Sequence, residues 1–195
     1  MVNQKYKEEG IYEVGSIQLK KEVYVTDPCY DVDTWCLKYL DNMCPGEYKC
    51  FVVMSDEGNW GMRVKELIIF NKEFLDRCPY GLTGWKDINS GLLDNNYILI
   101  SEIIGVDSGQ CGIFDAEYYE KHQPDDDYDN PNSWYRKICN LTHHSADTID
   151  NLGVVCASGY GDGCYPLYAI HESNSIVALK VIFIGEEDEE ELWKD

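Results

Sequence analysis

The stretch that decides the fold is YKCFVVMSDEGNWGMRVKELIIFN, residues 48–71. Its two halves are rich in Val, Ile, Phe and Tyr, and Ser55-Asp56-Glu57-Gly58-Asn59 sits between them. Apolar and β-branched runs bounded by turn residues read as strands, and a short polar link with Gly makes them a hairpin. An antiparallel pair is therefore expected over 48–71, turning at Asp56–Asn59.

The same pattern returns at the other end of the chain. LGVVCASG (152–159), CYPLYAIHES (164–173) and SIVALKVIFIG (175–185) read as three closing strands, with HESNS (171–175) turning the last pair into a hairpin. EVYVTDP (22–28) alternates and ends at Asp27-Pro28, so it is read as a strand. The near-continuous apolar run in NYILISEIIGVDSG (96–109) suggests a central strand covered on both faces. DVDTWCLKYLDNM (31–43) spaces Trp35, Leu37, Leu40 and Met43 in a mixed helical pattern, so a short helix capped by Asp33 or Thr34 is expected. Further short helices are expected after Asn71, after Asp115 and after Ser133, with Asp115 and Ser133 as N-caps. Residues 80–96 and 123–132 read as loops.

About eight strands joined by turns rather than by regular helical crossovers argue for antiparallel pairing. The expected fold is α+β: a single domain over 1–185, mainly antiparallel β-sheet, either a sandwich or a curved sheet, with three or four short helices. An acidic tail over 186–195 follows. The 195 residues suffice for one good core.

The net charge is −20. Half of it lies in Asp125, Asp126, Asp127 and Asp129 and in the tail from Glu186 to Asp195. Acidity of this kind opposes direct binding to nucleic acid or anionic membrane. It leaves two readings, a solvated surface or a decoy that imitates nucleic acid. MVNQKYKEEGIYEVG has no apolar signal-peptide region, and no apolar run approaches the roughly 18 residues of a membrane span. A cytoplasmic protein is expected, in the host cell if phage-encoded. The nine cysteines include no C-x-x-C pair, so they are read mainly as buried thiols rather than zinc ligands.

Three aspartates stand at strand ends or turns: Asp27 in VTDPCY, Asp107 in GVDSGQCG and Asp162 in GYGDGCY. Gathered at one rim, they could hold a divalent cation through oxygen ligands and activate water for phosphoester cleavage. The bland alternative is that each carboxylate bonds backbone N–H groups in an Asx-turn, with Gly supplying positive φ. Cys111 precedes an expected helix, with Gln110 beside it and His143, His144 and Asp147 downstream, so it is the nucleophile candidate. Tyr30, Trp60, Tyr160 and Tyr165 flank the turns and, with Ser108 and Gln110, are the candidate pocket residues. No P-loop, Rossmann or nucleophile-elbow motif is present, and no helix is expected after GYGDG to lend it a phosphate-binding dipole.

Four segments in order, VYVTDPCY, CPGEYKCFVV with GNWGMRV, IGVDSGQCGIFD and VCASGYGDGCYPLY, resemble the bacterial and phage family catalogued as domain of unknown function 4241. The resemblance spans about Val23 to Phe183. It implies a single domain of bacterial or phage origin and no stated reaction, and it implies that Cys29, Cys111 and Cys164 are not required. The GVDSG and GYGDG turns are expected to be neighbours in space, with Asp107 and Asp162 either facing one pocket or locking each other's loops. The expected function is a binding or accessory protein with no established activity, capturing a small molecule or a host protein. The alternatives are a metal-dependent phosphoester hydrolase using Asp27, Asp107 and Asp162, and an acidic nucleic-acid mimic.

Overall fold

The computed structural model describes residues 6–78, 96–122 and 130–185. The acidic tail and the Asp125–Asp129 cluster lie outside them, as does most of the expected loop after Cys78.

Among the described residues eleven strands form two antiparallel sheets: β1 Gly10–Leu19, β2 Val23–Thr26, β3 Leu37–Leu40, β4 Gly46–Asp56, β5 Met62–Asn71, β6 Ile98–Val106, β7 Gln110–Asp115, β8 Ala146–Ile149, β9 Gly153–Ala157, β10 Gly163–Glu172 and β11 Ser175–Ile182. The first sheet has the order β1-β4-β5-β11-β10-β6 and the second β3-β2-β7-β9-β8. The hairpin read at 48–71 is β4–β5, with a single 3-10 turn over Gly58–Trp60 at its tip. The β10–β11 hairpin turns at Ser173 and Asn174, both at positive φ, as a tight antiparallel turn requires.

Alternation explains how the sheets share a core. One buried cluster takes Ile17, Tyr48, Val52, Leu67, Ile104, Leu167 and Leu179 from the first sheet and Val23, Val25, Cys111, Ile113, Val154 and Cys156 from the second. The opposite face of the second sheet presents Tyr24, Phe114 and Val155, covered by Tyr118, Tyr119, Trp134 and Ile138. Those four come from helices α2, Ala116–Lys121, and α3, Trp134–Thr142. Asp115 and Ser133 cap these helices as expected, accepting from the N–H groups of Tyr118 and Arg136. Helix α1, Lys72–Arg77, is capped by Asn71.

Three local expectations fail. Residues 31–43 form no helix: Asp33 stands at φ +68°, and Leu37–Leu40 instead extends β2 as strand β3. Pairing with Val23–Thr26 outweighs a weak helical spacing, because a strand partner satisfies the backbone at once. The run ILISEIIGV is strand β6 as expected, yet it lies at the edge of its sheet rather than at the centre, with Ile98, Leu99 and Ile103 exposed. Strands β1 and β8 were not read at all. They lie against each other where the sheets meet: Tyr6 Oη–H donates to Ala146 O at 3.3 Å, and Gln18 N–H to Asn151 O at 2.8 Å.

No helix among the described residues is long and apolar enough to cross a membrane.

Candidate functional site

Strand pairing dictates where the singled-out turns go. β6 pairs with β10 in one sheet, and β7 pairs with β9 in the other. Two of the passages between the sheets are at 106–110 and at 157–163. Because Val106 faces Gly163 and Gln110 faces Ala157, both crossings leave from the same end. The two turns therefore lie side by side, and Ser158 N–H donates to Gly109 O at 3.1 Å. Gly109 sits at φ +72°, and a Cβ there would stand 3.7 Å from Gly161 Cα. β2 ends at the same rim, since Thr26 faces Gly112. Asp27, Asp107 and Asp162 thus share one rim, but in three different environments.

Asp27 is fully buried. Its Oδ1 accepts from Cys29 N–H at 2.9 Å and from Ser108 Oγ–H at 2.7 Å. Its Oδ2 accepts from Asp107 N–H at 2.9 Å and Ser108 N–H at 2.7 Å. Two successive N–H groups form an anion-binding concavity, and here the anion is a side chain of the protein itself. Asp107 is exposed, and its carboxylate accepts from the Tyr30 hydroxyl, an acceptance that raises the Tyr30 pKa. Asp162 is exposed and bonds no described residue through its side chain. The glycines around it serve the turn: Gly159 is at φ +54°, and Gly161 N–H donates to Ser158 O at 2.8 Å. The Tyr165 hydroxyl donates to Gly161 O at 2.7 Å and braces the turn from beneath.

Behind Asp27 runs a polar network that the sequence did not announce. Gln110 is buried, its Nε2 reaches Cys29 Sγ at 3.3 Å and Ser108 Oγ at 3.4 Å, and its Oε1 accepts from Thr142 Oγ1–H at 2.6 Å. Trp134 Nε1–H donates to Pro28 O at 2.7 Å, and the Tyr119 hydroxyl meets the carbonyls of Tyr30 and Asp27. Helices α2 and α3 thereby fasten the 27–30 turn from the side opposite Asp107. The only sequence hint was Asp27-Pro28 itself, because Trp134, Tyr119 and Thr142 lie about a hundred residues away.

Chemically, this rim holds shape. The Asp27 carboxylate accepts four hydrogen bonds, which leaves it committed to the turn. Among the described residues no three His, Cys, Asp or Glu side chains gather closely enough to hold a metal ion. Cys111 lies fully buried in the middle of the second sheet, where burial pushes its pKa up. Burial also pushes the thiols of Cys29 and Cys36 up to about 12.

Two consequences can be measured. Cys164 is the exposed cysteine, whereas Cys36, Cys50, Cys111 and Cys156 are buried. Alkylation of native protein followed by peptide mass spectrometry is expected to mark Cys164 first and the four buried thiols only on unfolding. Early labelling of Cys111 would refute the packing described. Second, the Cys29 and Cys36 thiols move from an ordinary 9.0 to about 12 on folding. A raised folded pKa means the unfolded chain loses these protons first, so their contribution is intact below pH 9 and lost between pH 9 and about 12. Urea midpoints should fall above pH 9 in native protein, and less steeply in a Cys29→Ser, Cys36→Ser variant.

The pocket candidates divide. Ser108, Gln110 and Tyr165 belong to the internal network. Trp60 and Tyr160 are 61% and 40% exposed and meet edge to face, with ring centroids 6.4 Å apart. The Tyr160 hydroxyl donates to Glu57, tying the GYGDG turn to the β4–β5 tip. Trp35, not singled out as a site residue, is 59% exposed and lies over Gly105.

The comparison with known families can now be set beside this geometry. A family model described as a protein of unknown function, DUF4241, matches residues 20–181. The chain belongs to this family. The matched span of the DUF4241 model starts just before β2 and ends inside β11, so it contains Asp27, the 106–110 and 157–163 crossings and the three capped helices. No curated protein and no solved structure matches the chain.

Proposed function

We propose that this protein is a binding module of bacterial or phage origin that works by contact with a host factor rather than by catalysis. The observation that carries the reading is the exposure of Trp35 and Trp60, 59% and 61%, on turns closed by backbone hydrogen bonds, Leu37 N–H to Thr34 O and Trp60 N–H to Glu57 O. Large aromatic side chains on a rigid frame are costly to leave in water and make strong contact residues when a partner covers them. The ionisable groups favour the same reading. Asp27 is engaged in four hydrogen bonds and Cys111 sits in the core, so the hydrolase and nucleophile readings have less support. The nucleic-acid mimic depends on acids outside the described residues.

Native mass spectrometry of the protein purified from its natural host tests this. The expected spectrum carries the added mass of a protein partner, lost on denaturation and reduced in a Trp35→Ala, Trp60→Ala variant. A bare mass, or an added metal or metabolite that Asp107→Ala removes, would overturn it.

A further inference from the structure

The sheets approach each other at both ends, β1 beside β8 and β3 beside β6. β6 is the remaining edge of the six-stranded sheet, and its Ile98, Leu99 and Ile103 are 60%, 43% and 57% exposed. An edge strand with unpaired backbone groups templates a further strand, and proteins blunt such edges with Lys, Pro, β-bulges or short length. β6 runs nine residues and contains no Lys, Arg or Pro, and its register against β10 shifts twice, between Tyr165 and Leu167 and between Leu167 and Tyr168. Leu99 stands opposite Tyr168 on β10, and Gly105 stands opposite Cys164. Gly105 points away from the core, because its neighbours Ile104 and Val106 point into it. There the ring of Trp35 replaces a side chain: a Cβ on Gly105 would fall 2.2 Å from Trp35 Cζ3. Leu99, Ile103 and Trp35 are thus exposed apolar side chains beside this edge.

The charge beside this edge has one sign. Asp33 lies in the loop that carries Trp35, Asp107 follows β6, and Asp162 precedes β10; all three are exposed, and none forms an ion pair with a described Lys or Arg. Lys180, opposite Tyr168, is 8% exposed, with its ammonium over the Tyr97 ring. The chain as a whole carries −20, which disfavours a second copy at this edge and favours a cationic occupant.

We propose that the β6 edge, with Trp35 beside it, docks an extended segment of a partner protein in which Lys or Arg alternates with apolar residues. The segment adds a strand to the six-stranded sheet: its backbone pairs with β6, its apolar side chains cover Leu99, Ile103 and Trp35, and its cations meet Asp33, Asp107 and Asp162. This rests on the binding reading above and assigns that reading a surface and a partner chemistry.

The probe is a short alternating Lys-Val peptide, with the Glu-Val peptide of equal length as control, added to the full chain. Hydrogen exchange should slow across Ile98–Val106 with the Lys-Val peptide only. Affinity should fall as salt rises. Ile103→Ser should weaken binding by about tenfold or more, as expected for a central apolar contact. Asp33→Asn with Asp162→Asn should flatten the salt dependence while far-ultraviolet circular dichroism stays unchanged. Equal binding of both peptides, protection elsewhere than β6, or β6 protection from a dimer without peptide would each overturn the proposal. A host partner seen by native mass spectrometry and retained by Ile103→Ser would leave the binding reading standing and remove this surface.

Discussion

Replacing Asp27 by Ala is expected to remove about 4 kcal/mol of folding stability, a large share of the 5–15 kcal/mol typical of a domain. The substitution deletes few contacts by volume. Its effect comes from what it leaves behind: the N–H groups of Cys29, Asp107 and Ser108, and the Ser108 hydroxyl, lose their acceptor in a site where Asp27 itself is fully buried. A buried donor without a partner costs roughly 1–3 kcal/mol, and partial entry of water offsets some of that sum. Asp27→Asn keeps the shape but turns an NH2 group towards donors, so it should fall between wild type and Ala. Ser108→Ala removes one bond of the four and should cost about 1 kcal/mol. Urea unfolding gives the three values, and hydrogen exchange at residues 107–109 gives an independent readout of the turn. An Asp27→Ala protein as stable as wild type, with those amides still protected, would show that the carboxylate does not hold the rim together.

Gly112→Ala should be the second severe change, at about 3 kcal/mol, through overpacking. A methyl group at 112 would lie 2.5 Å from Phe114 Cε2 and 2.9 Å from Val154 O. Neither neighbour has room to yield. Phe114 is fully buried against Tyr119 and Trp134, and Val154 O belongs to the strand paired with β7. The ring of Phe114 also covers Gly153, where a Cβ would fall 2.4 Å from Cδ1, so the aromatic occupies the space of two missing side chains. Gly58→Ala makes the contrast: a Cβ there meets nothing within 4 Å, although φ +61° adds about 1 kcal/mol of backbone strain. A thermal shift at Gly112→Ala no larger than at Gly58→Ala would contradict the packing assigned to Phe114.

The same chemistry explains why the three aspartates could not be ranked beforehand. Each stood beside glycine or at a turn, and each had the Asx-turn as an available role. Asp27 fulfils that role through the Cys29 N–H two residues on, a local contact that the DP pair foreshadowed. Its other three bonds come from residues 107 and 108, eighty positions away, and only the meeting of β2 with the β6–β7 crossing supplies them. Asp162, in the most conspicuous motif, bonds nothing described. The glycines there shape a turn that Ser158 and Tyr165 hold.

The sequence by itself determined whatever depends on near neighbours. Alternating apolar residues specified the β4–β5 and β10–β11 hairpins, and Asp115 and Ser133 specified where two helices begin, because a cap or a turn is completed within a few residues. The tertiary structure alone decided the order of the strands. That order placed the apolar run of β6 at an edge, turned Leu37–Leu40 from an expected helix into a strand, and brought GVDSG against GYGDG. An apolar run records that a segment favours removal from water; it does not record which neighbour removes it. That choice is made among strands tens of residues apart, through pairings that no local window contains.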